Sequence, residues 1–204
     1  VVAVKPQDAG VLLAEVGAAF PPGKLLVSMA AGLPTAFFAQ RLPAGTPVVR
    51  VMTNTPALVD EAMTAISAGP HATSTHLELA EDLFTPLGRT IRVPESQQDA
   101  VTALSGSGPA YFYLLVEAMI DAGILLGLPR QVARDLIVQT AIGASVMLRD
   151  SGDHPVALRE AVTSPAGTTI AAIAELERHG VRAALLAALG AARDRAQELA
   201  AEQR

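Results

Sequence analysis

Five short apolar runs mark the first part of this chain: Val1–Val4, Leu25–Ser28, Val48–Met52, Ala62–Ala68 and Thr90–Val93. Runs of this length read as strands, and those without polar alternation read as strands buried on both faces. Val1–Val4 ends in Lys5-Pro6 and reads as a buried parallel strand leaving its sheet. Between the runs lie helical patterns. Asp8 is placed to cap a helix through Val11, Leu12, Val16 and Phe20 that Pro21-Pro22 stops. A short helix is expected around Thr35–Arg41 and another near Thr73–Leu87. Strands alternating with helices at this spacing predict an α/β unit with a parallel or mixed sheet.

After Val93 the strand signal stops, and the remainder reads as helix. The expected division is therefore an α/β region at 1–93 and an all-helical region at 94–204. Glu95 opens a helix through Ala100, Val101 and Leu104, and Ser105–Pro109 breaks it into a tight kink. Ala110–Leu128 then forms a long apolar helix, long enough to cross a bilayer. Glu117 and Asp121, one turn apart near its middle, argue against lipid. A soluble helix buried on most sides is the better reading, and in a small protein that calls for a partner subunit. Gly127-Leu128-Pro129 ends this helix and opens the next, with Pro129 in its first turn. That next helix carries an apolar stripe of Val132, Leu136, Ile137, Thr140, Ala141, Ala144 and Met147. Ser151–Pro155 is a break, Val156–Val162 a short helix, and His179-Gly180 closes the helix after it. The last helix spans about Val181–Glu202, with Leu185, Leu186, Leu189 and Leu199 as core candidates. Only 3% of the residues are aromatic, which suits closely packed Ala- and Leu-rich helices.

In α/β sheets, ligands sit at the carboxyl ends of the strands. Three loops fall there: Lys5-Pro6, Met29–Gly32 and Thr53–Pro56. No G-x-G-x-x-G turn occurs in the chain. Taken singly, each loop reads equally well as an ordinary strand-to-helix turn. In the second region, Thr163-Ser-Pro-Ala-Gly-Thr-Thr169 interrupts the helices once. Pro165 ends one helix, Gly167 lets another backbone or a ligand approach, and Thr168 or Thr169 can cap the helix that follows. A helix start lined with hydroxyls can receive a small carboxylate; a capped turn that binds nothing fits the same residues. His71, His76, His154 and His179 lack the spacing of a metal pair with a carboxylate, which leaves surface or capping roles. No G-x-S-x-G elbow supports serine hydrolase chemistry. Glu78, Glu81 and Asp82 read as a solvated helix face. Cysteine is absent and the net charge is −5 with no basic cluster. Disulfides and thiolate metal sites are thereby excluded, nucleic acid is disfavoured as a partner, and a cytoplasmic location fits.

Taken together, the loops carry a family resemblance. Thr163–Thr169 resembles the C-terminal signature of pyrroline-5-carboxylate reductase, the last enzyme of proline biosynthesis, with Ala166 where that family usually has a glycine. Leu104–Tyr111, Leu-Ser-Gly-Ser-Gly-Pro-Ala-Tyr, is nearly identical to the family's run where its helical domain approaches the nicotinamide. Val4-Lys5-Pro6, Ser28–Gly32 and Arg50–Pro56 resemble, in order, the later half of the family's Rossmann domain, with Thr53 replacing a common proline.

The resemblance implies NAD(P)H-dependent reduction of a cyclic imine, 1-pyrroline-5-carboxylate, to proline, with NADPH or NADH as cofactor. It implies a fold of partial Rossmann domain followed by an all-helical domain that interlocks in a homodimer. The missing glycine turn is then explained by a start inside the Rossmann domain, about two strand–helix units or roughly 60 residues in. Val4, Lys5, Pro6, Met29, Ala30, Ala31 and Asn54 are the implied cofactor contacts, Asn54 near the nicotinamide ribose. Glu95, Ser164, Gly167, Thr168 and Thr169 are the implied substrate contacts. Thr169, placed near the ring nitrogen, is the implied catalytic group. Related dehydrogenases of the same architecture carry a catalytic lysine in the helical domain, and this chain has no lysine after Lys24. A non-catalytic helical dimerisation protein would leave the intact loops at 105–111 and 163–169 unexplained.

Overall fold

A computed structural model describes residues 1–202. They group into two compact units, 1–109 together with 188–202, and 110–187.

In the first unit, Val2 makes a single parallel bridge to Ser28, and the chain turns at once into α1 (Pro6–Val16). Pro6 occupies the first helical position with Lys5 as N-cap, so Asp8 lies inside the first turn rather than capping it. A proline there costs no hydrogen bond, because the leading N–H groups have no partner within the helix. β1 (Leu26–Ser28), α2 (Thr35–Ala39), β2 (Val48–Met52), β3 (Ala62–Ala68), α3 (Ser74–Phe84) and β4 (Gly88–Arg92) follow. The four strands pair in sequence order: β1 with β2 parallel, β2 with β3 antiparallel, β3 with β4 parallel. The mixed sheet matches the expectation from the sequence. Only Val2 of the expected first strand pairs.

Side chains alternate across this sheet and build two cores. Leu26 and Val48 pack with Val2, Leu13, Leu33, Phe37 and Phe38 under α1 and α2. Val27, Val49, Val51 and Ile66 pack with Ala80 and Phe84 of α3. α3 starts in a capping box in which the His76 ring nitrogen Nδ1 accepts the Thr73 N–H at 3.0 Å. On its outer face the Arg92 guanidinium donates to both Glu81 oxygens, at 2.7 and 2.6 Å. Those bonds hold the Glu81 carboxyl below the usual carboxylate range.

Beyond β4 the chain does not enter one regular helix. A 3₁₀ turn at Glu95–Gln97 leads into α4 (Gln98–Val101) and then a π-turn at Thr102–Gly106. The break expected at Ser105–Pro109 thus takes the form of a widened turn, closed by Ser107 N–H donating to Thr102 C=O at 2.8 Å. Met52 Cε lies where a Cβ on Gly106 would stand, so a larger residue there would push the end of the Met52 side chain aside. α5 (Gly108–Leu125) restarts directly afterwards.

The second unit is helical. α6 (Arg130–Ser151) has Pro129 as its N-cap, one position before the first turn where the sequence suggested it. α7 (Pro155–Ala161) is capped by His154, whose Nδ1 accepts the Val156 N–H at 3.3 Å. α8 (Thr168–Arg178) and α9 (Val181–Glu202) complete it, the later part of α9 belonging to the first unit. Within 110–187 only Gly123 and Ala133 are buried. Phe112, Leu114 and Met119 of α5, and Leu136, Ile142 and Met147 of α6, stand exposed. Leu185, Leu186 and Leu199, expected in the core, are exposed as well. Their helical periodicity is real, but this chain alone does not cover them. The run 95–125 is also long and apolar enough, by length and composition, to cross a membrane.

Candidate active site

The parallel pairing of Val2, β1 and β2 brings their carboxyl ends to one edge of the sheet. Lys5-Pro6, Met29–Gly32 and Thr53–Pro56 therefore leave the sheet as neighbours, which is where an α/β sheet offers a ligand crevice. Ala30 is buried, Ala31 exposed, and Val4, Pro6 and Met29 are half-buried. Gly32 has φ +76°, and the helix α9 passes close to it, with Ala196 C=O 3.6 Å from where a Cβ would stand. Of the described residues, no group of three His, Cys, Asp or Glu side chains is placed to hold a metal ion.

Asn54 leads out of β2 with all its amide functions engaged. Its Nδ2 donates to Ser105 C=O at 3.2 Å and to Ser105 Oγ at 3.3 Å, while Oδ1 accepts the Met63 N–H at 3.1 Å. Beside it, the Thr53 and Thr64 hydroxyls pair at 2.9 Å. The loop after β2 and the Ser-Gly-Ser-Gly-Pro segment are thus tied side chain to backbone.

Glu95 is equally committed. Its carboxylate accepts the Thr35 N–H at 2.6 Å and the Thr35 hydroxyl at 2.7 Å, and lies 3.8 Å from the Arg50 guanidinium. Glu95 therefore caps α2 from a distance in sequence, and any contact it makes with a substrate is additional to these bonds. Arg50 also reaches Asp99 at 3.3 Å, and its side chain is only 6% exposed. Sequence reasoning passed over this cluster. The available signal was Arg50 itself: a cation in the middle of Val-Val-Arg-Val-Met must find carboxylates, because burying it unpaired is prohibitively costly.

The loop at 163–169 belongs to the second unit. Thr163 Oγ1 donates back to Arg159 C=O at 2.6 Å, which finishes α7. Gly167 N–H then donates to Ser164 C=O at 3.1 Å, closing a four-residue turn with Pro165 and Ala166 at its centre. Ala166 takes φ +55°, the left-handed region that favours glycine, which gives the position its preference for glycine a physical cause. A Cβ on Gly167 would run into Ser164 Oγ. The N-cap of α8 is Gly167, not Thr168 or Thr169, and no side chain caps the helix. Both threonines stand in the first turn, Thr168 exposed and Thr169 half-buried. They fail as caps because the cap needs extended backbone, which only Gly167 (ψ 177°) supplies. The outcome is a helix start whose leading N–H groups are left for solvent or an anion, with two hydroxyls beside them.

Residues 95–199 match the family profile described as pyrroline-5-carboxylate reductase dimerisation. The pyrroline-5-carboxylate reductase of Mycobacterium tuberculosis is 46% identical over 98% of this chain and 75% of its own length. The solved reductase of Coxiella burnetii superposes with a TM-score of 0.91 at 38% identity, covering 97% of this chain and 74% of that one. The Plasmodium falciparum enzyme, solved with NADP bound, gives 0.90 at 32% identity, covering 97% and 79%. Identity of this extent over nearly the whole chain settles descent: the chain belongs to the pyrroline-5-carboxylate reductase family of NAD(P)H-dependent oxidoreductases.

Proposed function

We propose that this chain carries out the reduction of 1-pyrroline-5-carboxylate to proline with residues 163–169 as its substrate loop and three strand-end loops as its nicotinamide face. The observation that carries this reading is the uncapped start of α8 behind the Ser164–Gly167 turn. It offers backbone N–H groups and hydroxyls to a small carboxylate, which is what a cyclic imino acid presents. Gly167 N–H is already spent on Ser164, so Thr168 and the residues after it supply the donors, and Ser164 and Gly167 shape the turn.

Reduced nicotinamide, when bound, supplies the hydride. The residues present fit such a group. Ala30 and Ala31 leave room for a flat ring, and the 11-residue helix α1 opens at Lys5-Pro6 on the same sheet edge, with no side-chain cap. Asn54 holds that edge through its amide. Carbon accepts hydride readily only when the ring nitrogen is protonated or strongly hydrogen-bonded. The Thr169 hydroxyl is assigned that contact, and Thr168 and Ser164 orient the carboxylate. Such positioning can supply much of the barrier reduction.

The division at about residue 93, into a cofactor-binding α/β domain and a helical substrate and dimerisation domain, belongs to this reading. So do assembly as a homodimer or a higher homo-oligomer, a cytoplasmic location, and the absence of membrane or nucleic-acid partners. The test is kinetic. In the full-length enzyme, Thr169→Ala should lower kcat/KM by about 10²-fold with an unchanged circular dichroism spectrum. Wild-type kinetics in that variant would remove Thr169 from the mechanism.

A further inference from the structure

We propose that Arg50 is a positioning residue for hydride transfer, acting through Glu95 and Asp99 to hold in register two strand-end loops of the nicotinamide face, Met29–Gly32 and Thr53–Pro56, and the π-turn that carries Ser105; the proposal rests on the reading of that face given above. Arg50 sits on β2 and its guanidinium is buried. One side approaches Glu95 at 3.8 Å and the other Asp99 at 3.3 Å, carboxylates that are 30% and 23% exposed. Each contact fixes a different segment. Glu95 grips the Thr35 N–H and hydroxyl, and so anchors the start of α2, the helix that follows the Met29–Pro34 loop. Asp99 lies on α4, which runs directly into the π-turn that carries Ser105. The backbone of Arg50 itself continues through Met52, which packs on Gly106, to Asn54, which bonds Ser105.

All three segments are therefore referenced to one planar cation. Apolar side chains at these positions would serve stability as well or better, since buried ion pairs rarely gain net stability over good packing. What the guanidinium supplies is one directed hydrogen bond, to Asp99, and an ion-pair contact with Glu95, both from a rigid planar fork that a lysine cannot reproduce. A shift of about 1 Å among the loops that present the reacting groups is enough to cost roughly two orders of magnitude in rate.

The test uses the full-length enzyme with NAD(P)H and pyrroline-5-carboxylate. Arg50→Met alone leaves two carboxylates without their cation and is expected to fold poorly. The neutral triple variant Arg50→Met/Glu95→Gln/Asp99→Asn removes that penalty. It should keep the wild-type assembly and bind NAD(P)H within about threefold, while kcat falls about 30-fold. The primary isotope effect on kcat, measured with cofactor deuterated at the transferred position, should rise as hydride transfer becomes limiting. Arg50→Lys should fold and show a smaller loss in kcat in the same direction. A folded triple variant with wild-type kcat and isotope effect would overturn the proposal, as would a loss confined to cofactor affinity. Failure of the triple variant and Arg50→Lys alike to fold would assign the cluster to stability alone. If the wild-type enzyme itself ignores this imine, the substrate reading fails independently of Arg50.

Discussion

The α/β unit and the helical unit solve the problem of burial differently. In the first, two cores enclose Phe38, Leu33, Ile66 and Val49 almost completely on either face of one sheet. In the second, long regular helices leave nearly every large apolar side chain open, with Phe112 58% and Leu114 65% exposed. A sheet with helices on both faces finishes its own core. Helices that carry apolar residues around most of their surface and scarcely touch one another cannot, and the dimerisation profile over 95–199 fits a surface that a second copy covers. The lesson is that the two halves should fail in different ways.

The strongest way to break that comparison is to place one charge on each half. Leu114→Asp in α5 should dissociate the assembly and lower activity by more than about 100-fold, read by light scattering and NAD(P)H oxidation. Leu79→Asp in α3, at a similarly exposed leucine, should leave both within about twofold. Equal effects would mean that the helical surface is not an interface. Core truncation sharpens the contrast. Phe38→Ala should destabilise the protein by about 3–5 kcal/mol at any protein concentration in urea unfolding. Phe112→Ala should cost stability in a way that depends on concentration.

A smaller effect concerns the substrate loop. Ala166→Gly removes the left-handed strain at φ +55° and should stabilise by up to about 1 kcal/mol, partly offset by the greater freedom of glycine in the unfolded chain. A destabilised variant would show that the alanine methyl is packed in the assembled enzyme. Smallest is the surface pair on the α/β unit. Arg92 lowers the Glu81 pKa, so the bond contributes fully above the ordinary carboxylate value and is lost as pH falls through the lowered one. The difference in urea midpoint between wild type and Arg92→Leu should stay constant from about pH 8 to 5 and shrink below about pH 4.

Much of the α/β unit was legible because apolar runs at 25–28, 48–52 and 62–68 are bounded by turn residues, and each became a strand. Strand direction was not legible. Nothing in Ala62–Ala68 reveals that it runs antiparallel to β2, because that follows from the short 3₁₀ turn at Thr55–Val59 and the left-handed Asp60 after it. The helix start at Gly167 was missed for a related reason: the hydroxyls are local, but the backbone angle that selects the cap is set by Pro165 and Ala166 together. Membership of the family was written in whole motifs. The cluster at Arg50 was written only as one misplaced charge, because its partners lie 45 and 49 residues further along the chain. For the helices, periodicity told which faces are apolar but not which molecule covers them.

Gly32 and the helix that passes it also set an order of events during synthesis. The strands pair in the order in which they are made, so the sheet can close through short loops soon after β4 leaves the ribosome. The loop at Gly32 receives Ala196 and Ala200 only after more than 100 further residues have been added. Until then a nascent chain exposes the sheet edge proposed to face the dinucleotide. A chain paused or cut between residues 109 and 188 would therefore carry this sheet with an unfinished loop, and that species should be the one a chaperone meets.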